Sequence, residues 1–397
     1  MRGVEQGPQS RLPEGGVNLF QSIKTVSVEA EARGVELIRL SIGQPKGPAL
    51  ESARNAAADA IRSINESMHE YQDNGSPGVP DFARRFIQAQ VDVSLTQEGI
   101  DFLPIPGIKP MLGLIPLACG AAERALNIAT TTKPGYPTPR DWGAYLRQNV
   151  YEVPLNSENK FRFSTSNLPG GDLIMMNYPH NPTGQIATRE WLEELCEFCE
   201  KHEIRLFNDA AYAALSHNPE SSTLTEVAIR FSGLSWAEAF SASKLIGNGT
   251  GWRIGAMVGS ADFIGDIKTI KGNTDSGFAA PLAAGALFAV ENDKEGIEAN
   301  RKVYERRLKL LIEILAGNRM QLAVEPKAGF FSSWKTPRKA FNEPMQSAEE
   351  FNFLMIERTG IVGVHFEPYI RYAVTSDIEA SADKIDKAFK KAEVSYD

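Results

Sequence analysis

Residues 238–244, EAFSASK, followed by residues 251–255, GWRIG, decide how this chain is interpreted. Residues 236–241 suit a short buried strand, and Lys244 comes just after its predicted end. The lysine amine can form a Schiff base with an aldehyde, while nearby hydroxyls and the Arg253 guanidinium can neutralise a phosphate. The pattern therefore indicates an enzyme that holds an aldehyde phosphate, although ordinary loops also contain serines, glycines and a lysine.

Strands and helices alternate through the central third of the chain. Strands are predicted at 172–177, 204–208, 236–241 and 254–259, with a helix at 191–202 among the connections. This alternation is typical of an α/β fold in which helices cover a mainly parallel sheet. In open α/β sheets a ligand binds beyond the carboxyl ends of the strands. Asn181, Asp209 and Lys244 each follow a predicted strand, so we expect them to share one site.

The sequence outside this region predicts further elements. Helices are predicted at 18–33, 53–64, 79–91 and 110–125, and strands at 37–41, 100–105 and 126–131. A helical stripe of apolar residues begins at Val303 and ends at Gly317. The first sixteen residues contain several Pro and Gly and predict an arm, and residues 75–78 predict a turn.

The composition is that of an ordinary globular protein. The chain has 397 residues, of which 42% are hydrophobic and 23% charged, with a formal net charge of −8 and a pI of about 5.4. This length suits two domains. The acidic balance argues against nucleic acid or an anionic membrane as the main partner. We recognise no signal peptide and no apolar stretch long enough to span a bilayer, so we expect a cytoplasmic protein.

The chain contains three cysteines, which cannot all pair within one molecule, and such scarcity suits a reducing compartment. Cys196 and Cys199 have the CxxC spacing of redox and metal sites. They fall, however, on the same face of a predicted helix as Leu192 and Leu195. Core packing is therefore the favoured interpretation, and we predict no metal site.

Two further motifs precede Lys244 in the chain. Residues 177–184, NYPHNPTG, follow the apolar run 173–176, and residues 208–212, NDAAY, follow the run 204–207, IRLF. With these motifs the chain closely resembles the class I/II aminotransferases of the aspartate aminotransferase superfamily, which use pyridoxal phosphate. The resemblance runs from residues 42–45, IGQP, to Arg371, and four ordered motifs are far more specific than any one of them.

The resemblance implies an overall architecture. It implies the α/β fold called fold type I, with a mainly parallel seven-stranded sheet between helices and a smaller α+β domain. We expect residues 1–45 to form an arm and part of the small domain, residues 46–290 the large cofactor-binding domain, and residues 291–397 the rest of the small domain. It also implies a homodimer.

Lys244 and Asp209 are the predicted centre of the site. Lys244 would bind the cofactor and later carry the proton at the substrate Cα; the alternative is a surface lysine. Asp209 would be buried against the protonated pyridine nitrogen of the cofactor; the alternative is a helix N-cap. By resemblance, Asn181 and Tyr212 would hydrogen-bond the cofactor 3′-oxygen, and Tyr136 would stack on its ring. Alone, 181–184 would be a plain turn and Tyr136 a core aromatic.

The phosphate of the cofactor has several predicted partners. Backbone N–H groups at the start of a helix bind anions, and hydroxyl and guanidinium groups add hydrogen bonds and charge. The predicted set consists of Gly107, Ile108, Lys109, Ser241, Ser243 and Arg253. By resemblance, Tyr71 would reach the phosphate held by the neighbouring subunit, which would make the active sites of a dimer shared.

Arg371 resembles the family arginine that clamps the substrate α-carboxylate, and Gly43 resembles a backbone contact on the opposite side. The chain departs from the family pattern in two places. The spacing from Lys244 to Arg253 is nine residues, one longer than expected, with glycines at 247–251 to absorb the extra residue. The loop before Arg371 is shorter than the family's glycine-rich loop.

The substrate is predicted only by a local resemblance. Residues 271–277, KGNTDSG, resemble a segment of LL-diaminopimelate aminotransferases, in which a lysine and an asparagine help to read the distal end of the amino acid. Lys109 and Asn273 are the corresponding candidates here, and Asn181 also belongs to the predicted substrate set. Diaminopimelate, aspartate and alanine all stay open as amino donors.

Two other functions are compatible with the same motifs. The fold does not fix the reaction, so a lyase that performs β-elimination with the same cofactor is one alternative. A catalytically silent ligand-binding relative is a weaker one, because Lys244, Asp209 and Arg371 are all present. The main prediction is an aminotransferase that passes an amino group to a 2-oxo acid such as 2-oxoglutarate.

Overall fold

A computed structural model describes residues 19–74 and 77–397. The helices are α1 Leu19–Ala32, α2 Glu51–Arg62, α3 Phe82–Gln88, α4 Ile108–Met111, α5 Leu114–Ala118, α6 Thr138–Tyr145, α7 Arg189–Lys201, α8 Leu224–Ala228, α9 Ala242–Leu245, α10 Ala261–Lys271, α11 Ala280–Asn292, α12 Lys294–Gly317, α13 Ala348–Thr359 and α14 Ile378–Ala392. The strands are β1 Ile38–Arg39, β2 Ile100–Ile105, β3 Asn127–Lys133, β4 Asn149–Pro154, β5 Leu173–Met176, β6 Arg205–Asp209, β7 Trp236–Ser241, β8 Gly255–Ser260, β9 Phe331–Lys335, β10 Lys339–Ala340, β11 Glu343–Pro344, β12 Ile361–Val362, β13 Val364–Phe366 and β14 Tyr369–Ala373.

A seven-stranded sheet organises the larger part of the molecule. Its strand order is β2-β8-β7-β6-β5-β3-β4. The five strands from β7 to β4 run parallel, whereas β8 pairs antiparallel with both β7 and β2. The prediction of a mainly parallel seven-stranded α/β sheet is therefore confirmed.

The central strands form because almost every side chain on them is buried. All four residues of β5 and all six of β7 are buried, as expected for a parallel sheet covered by helices on both faces. Helix α7 shows how the covering helices are built: Thr188 caps its start, and one face carries the buried side chains. That face includes Cys196 and Cys199, so the core-packing interpretation of the two cysteines is confirmed.

A three-stranded antiparallel sheet, β13-β14-β9, lies in the C-terminal part. A hydrophobic core that includes Phe330, Trp334 and Tyr372 joins this sheet to α12 and α14. The helical stripe predicted to end at Gly317 belongs to α12, which begins at Lys294.

The N-terminal helix α1 packs on the C-terminal part of the chain. Ile23 and Ala30 of α1 share a core cluster with Ile356 and Val362, and β1 pairs in parallel with β12. This packing agrees with an N-terminal segment that belongs to the small domain, while the three domain boundaries stay a prediction. The predicted arm, residues 1–16, lies outside the described residues, as do Gly75 and Ser76 of the predicted turn.

Two predictions of secondary structure differ from the structure. The single helix predicted at 110–125 is wrong, because the chain forms two short helices, α4 and α5, and then turns. Gly113 lies at the break and Gly120 has a φ of 91°, which favours a turn over a continued helix. The sequence also failed to predict β4, an edge strand whose side chains are mostly exposed or half-buried.

No helix within residues 19–74 and 77–397 combines the length and the apolar composition that a membrane crossing requires.

Candidate active site

A cavity of about 470 Å³ lies beyond the carboxyl ends of β6 and β7 and reaches the three-stranded sheet. Its walls contain most of the predicted site residues. The predicted residues on its lining are Gly43, Ile108, Lys109, Tyr136, Asn181, Asp209, Tyr212, Ser241, Ser243, Lys244, Arg253 and Arg371. The sheet topology therefore brings together side chains that are more than three hundred residues apart in the sequence.

Asp209 is the last residue of β6, where it pairs in register with Ala239 of β7. Its Oδ1 accepts a hydrogen bond of 3.1 Å from the backbone N–H of Ala211. Burial raises the pKa of Asp209 to about 6, although the Ala211 N–H and the charge of Lys244 oppose the rise. The carboxylate thus lies in a poorly solvated position that favours a cationic partner.

Lys244 lies in α9, which follows β7 directly. Its Nζ is 5.4 Å from the centre of the Tyr212 ring. Burial lowers the pKa of Lys244, the Asp209 charge raises it, and the Arg253 charge lowers it further. The net lowering enlarges the fraction of neutral amine, which is the nucleophilic form.

Asn177 ties the loop after β5 to the loop after β6. Its Nδ2 donates a 2.8 Å hydrogen bond to the carbonyl of Asp209, and its Oδ1 accepts one of 3.0 Å from the N–H of Asn181. Asn181 therefore has a fixed position relative to Asp209. Asn177 also lines the cavity, although no role was predicted for this residue from the sequence.

A buried carboxylate, Glu238 on β7, binds Asn208 on β6 and the first residues of α8. Glu238 Oε1 accepts hydrogen bonds from Asn208 Nδ2 (2.7 Å) and the N–H of Leu224 (3.0 Å). Its Oε2 accepts from the N–H (2.7 Å) and Oγ1 (2.6 Å) of Thr225. Burial nevertheless raises the pKa of Glu238. Sequence reasoning missed this residue, because a glutamate inside a buried strand gives no sign of its partners.

Arg253 and Gly107 face each other at one end of the cavity. Arg253 has a φ of 56°, and its guanidinium donates to the carbonyls of Thr250 (3.0 Å) and Pro106 (3.1 Å). A Cβ added at Gly107 would lie 2.5 Å from Nη2 of Arg253, so the guanidinium would have to move, and the φ of 80° at Gly107 also favours glycine. Ser241 caps α9 by accepting a 3.1 Å hydrogen bond from the N–H of Ser243. These groups place hydroxyls and a cation at one end of the cavity.

Arg371 lies across the cavity on β14 and is only 3% exposed. Its Nη1 donates to Oδ1 of Asn181 (2.9 Å) and its Nη2 to the carbonyl of Ser41 (2.7 Å). Its guanidinium carbon is 4.2 Å from the centre of the Phe331 ring. A Cβ added at Gly43 would lie 3.2 Å from that ring, so the ring would have to shift slightly to accept it.

Within residues 19–74 and 77–397, no acidic side chain forms an ion pair with Arg371. The partners that the described part of the chain supplies are neutral amide and carbonyl groups, and Nε has no hydrogen-bond partner there. Burial lowers the pKa of Arg371 to about 10. A buried guanidinium with a free donor favours an anionic ligand.

Three predicted residues do not line the cavity of their own chain. Gly107 lies behind Arg253, and Tyr71 is 79% exposed on the surface. Asn273 follows α10, is exposed, and donates a 3.1 Å hydrogen bond to the carbonyl of Thr269. The described chain alone thus gives no contact between Tyr71 or Asn273 and the cavity.

Comparison with known proteins assigns the family. Residues 35–380 match the sequence profile of the family "Aminotransferase class I and II". The chain belongs to this family and is an aminotransferase. The family uses pyridoxal phosphate.

Curated relatives resemble the chain along nearly its whole length. The LL-diaminopimelate aminotransferase of Natranaerobius thermophilus is 28% identical over 94% of this chain and 95% of its own. The enzyme of the same name from Halothermothrix orenii is 29% identical over 95% of this chain and 96% of its own.

Solved structures share the fold. The aspartate aminotransferase of Rhizobium meliloti superposes with a TM-score of 0.84 at 18% identity and covers 98% of this chain and 99% of its own. Substrate-bound BacF from Bacillus subtilis superposes with a TM-score of 0.80 at 22% identity, with 97% of both chains covered. At these identities the likeness shows the fold, and it confirms the predicted fold type I.

Proposed function

We propose that this aminotransferase holds pyridoxal 5′-phosphate on Lys244 and moves an amino group from an amino acid to a 2-oxo acid such as 2-oxoglutarate. The observation that carries the proposal is the placement of Lys244 and Asp209 beside each other on one cavity, with Arg371 across it. Lysine, buried acid and buried arginine are the three groups that the chemistry requires.

The donor set fits this cofactor. Asp209, with its pKa raised to about 6, faces a cavity in which a ring cation would relieve its burial. Ser241, Ser243 and Arg253 supply hydroxyls and a charge for a phosphate at the adjacent end. Asn181 and Tyr212 lie on the same cavity and would contact the 3′-oxygen, and Tyr136 would stack on the ring.

When bound, the cofactor supplies an electron sink for the carbanion that forms at the substrate Cα. The residues of the chain bind and orient the reactants. Arg371 would bind the α-carboxylate through Nε and Nη groups and so fix the position of the Cα–H bond. Lys244 would take the proton from the Cα of the amino donor, which its lowered pKa favours. In the second half-reaction it would return a proton to the Cα of the acceptor. Asp209 would keep the ring nitrogen protonated.

We further propose a homodimer with shared active sites. The large exposed ring of Tyr71 would then reach the phosphate held by the partner subunit, and Asn273 would help to read the substrate there. We propose a cytoplasmic location on the basis of the scarce cysteines. The named relatives make LL-diaminopimelate one candidate donor beside aspartate and alanine.

The decisive experiment is a half-reaction. The purified protein is loaded with pyridoxal phosphate, and its visible absorbance is recorded while glutamate, aspartate, alanine and LL-diaminopimelate are added one at a time. Loss of the visible band, with one equivalent of 2-oxo acid per site, is the expected result. Ammonia and pyruvate from a β-substituted amino acid, without stable conversion of the cofactor, would instead indicate a lyase.

A further inference from the structure

One wall of the cavity has no part in the function proposed above. It consists of Phe20, Ile23, Lys24 and Ser27 on α1 and of Arg39 on β1. We refer to these five residues as the α1 wall. None of them belongs to the groups assigned to the cofactor or to the α-carboxylate, so by position they face the remaining part of a substrate, its side chain.

The α1 wall lies next to the proposed α-carboxylate anchor. Ile23 shares a core cluster with Val362 and Phe366, and the Phe366 ring centre is 5.5 Å from the guanidinium carbon of Arg371. Phe366 therefore belongs both to the core cluster of α1 and to the surroundings of Arg371. A substrate side chain of a few atoms can span such a distance.

Ser27 carries an unused hydroxyl on this wall. The residue is 1% exposed, and within residues 19–74 and 77–397 its Oγ has no hydrogen-bond partner. Two residues earlier on the same helix, Thr25 satisfies its hydroxyl by donating to the carbonyl of Gln21 at 3.1 Å. A buried hydroxyl without a hydrogen-bond partner is unfavourable. A ligand that accepts a hydrogen bond from Ser27 Oγ would therefore bind more tightly than one that does not.

The charges on the cavity lining are unbalanced. Asp209 is the single acidic residue on the described lining, against six cationic side chains, which are Lys24, Arg39, Lys109, Lys244, Arg253 and Arg371. In the proposed complex Lys244 binds the cofactor, Arg253 its phosphate and Arg371 the α-carboxylate. On the described part of the lining, Lys24 and Arg39 of the α1 wall, like Lys109, then still lack an anion.

Arg39 is available for such a ligand. Its Nη2 pairs with Glu31 Oε1 at 2.9 Å, but both side chains are nearly half exposed. Exposed pairs of this kind contribute little to stability, so the guanidinium can turn towards a ligand at small cost.

We propose that the α1 wall is the subsite for the substrate side chain and that it selects side chains ending in a carboxylate. Ser27 Oγ donates a hydrogen bond to this carboxylate, Lys24 and Arg39 supply the charge, and Phe20 and Ile23 contact the methylene groups. Alanine has no distal carboxylate, and LL-diaminopimelate carries an ammonium beside its distal carboxylate that would meet two cations, so glutamate and aspartate bind better than either. This inference rests on the function proposed above.

Binding of unreactive acids tests the subsite directly. Calorimetric titration of the pyridoxal phosphate-loaded protein compares succinate with butyrate, which has four carbons as well but lacks the second carboxylate. We expect succinate to bind at least about tenfold more tightly. Lys24→Gln and Arg39→Gln should each weaken succinate binding by about five- to tenfold and leave butyrate binding unchanged. Arg33→Gln, which removes an exposed cation just after α1, should change neither.

Ser27→Ala separates a binding role from a structural one. Loss of an unpaired buried hydroxyl should raise the melting temperature of the protein, while succinate binding weakens by about three- to fivefold. A lower melting temperature, or an unchanged affinity for succinate, would overturn the role of Ser27. Equal affinities of the wild-type protein for succinate and butyrate would overturn the subsite as a whole.

The half-reaction distinguishes failure of this inference from failure of the proposed function. If no amino acid converts the cofactor, the proposed transfer is wrong. Glutamate and alanine could both convert the cofactor, with second-order rate constants that Lys24→Gln and Arg39→Gln leave unchanged. In that case the transfer stands and the α1 subsite is wrong.

Discussion

Asn208 and Glu238 are cross-strand partners on β6 and β7, and the side-chain amide nitrogen of Asn208 lies 2.7 Å from the carboxylate of Glu238. A carboxylate accepts hydrogen bonds, so Asn208 must present its NH₂ end to Glu238 and its oxygen elsewhere. The oxygen accepts from the N–H of Tyr178 at 2.9 Å, and the nitrogen also donates to the Tyr178 carbonyl at 2.9 Å. Glu238 thereby fixes the backbone between Asn177 and Asn181 without reaching the cavity.

Replacing Glu238 by Gln should destabilise the fold. The Gln amide would turn its NH₂ group towards donors on Asn208, Leu224 or Thr225. Those donors would lose their acceptor, and the NH₂ group would itself lack a partner. We expect the free energy of unfolding in urea to fall by about 2–4 kcal/mol. Glu197→Gln, on the exposed side of α7, is the control and should change it by less than about 0.5 kcal/mol. Equal stability of the two variants would refute the network.

Lys244→Arg should abolish amino transfer while keeping a positive charge at the site. The guanidinium cannot form the covalent bond to the cofactor, and it stays protonated, so it is no base. After borohydride treatment of the loaded wild-type protein, mass spectrometry should find the cofactor on the peptide that contains residue 244. The same treatment of the variant should label no lysine; a labelled lysine elsewhere would show that the assignment is wrong.

Asp209→Asn should stabilise the cofactor-free protein in a pH-dependent way. Because the folded pKa of about 6 exceeds the ordinary value of 3.8, the folded protein binds this proton more tightly, and the stabilisation is lost as pH rises through 6. Asn mimics the protonated acid. The variant should therefore exceed the wild type in unfolding free energy by about 1 kcal/mol at pH 4.5 and about 2–3 kcal/mol above pH 7. Urea titrations at both pH values measure this, and a pH-independent difference would contradict the burial argument.

The same substitution should have the opposite effect on cofactor binding. An amide cannot pair with a protonated ring nitrogen, so the affinity for pyridoxal phosphate should fall by about tenfold or more. Fluorescence quenching during titration of the cofactor-free protein measures this affinity without any turnover.

Arg371→Lys and Arg253→Lys should affect different ligands. At residue 371 an ammonium cannot bind both carboxylate oxygens, so the dissociation constant of the amino donor should rise about 100-fold. Cofactor affinity should stay within about twofold. At residue 253 the effect should be reversed, with weaker binding of pyridoxal phosphate and a small effect on the donor. Parallel losses in both variants would mean that the two arginines do not serve separate ligands.

The sequence predicted the elements whose pattern is local and strong. The buried strands β5, β6 and β7 were found because mainly apolar runs end at polar motifs; Asp209 is the last residue of β6, and Lys244 follows β7. The antiparallel direction of β8 could not be read, since strand direction depends on the path of the connecting chain and not on local composition.

The supporting residues of the site were beyond prediction for a different reason. Ser27 lies in a helix in which a serine is unremarkable, and Glu238 is notable only because Asn208 and Thr225 surround it. Such roles depend on partners distant in the sequence. Arg371 was predicted by resemblance, whereas its pairing with Asn181 required the three-dimensional arrangement.

The pairing of β6 with β7 positions the backbone that carries Asp209 and leads to Lys244. The separation of two hydrogen-bonded strands is about 4.8 Å whatever side chains pack around them, because the peptide hydrogen bond sets it. The backbone of Asp209, the last residue of β6, is therefore held at this separation from its partner Ala239 on β7. For protein engineering this means that a substitution which disturbs the pairing of β6 with β7 would change the relative positions of Asp209 and Lys244.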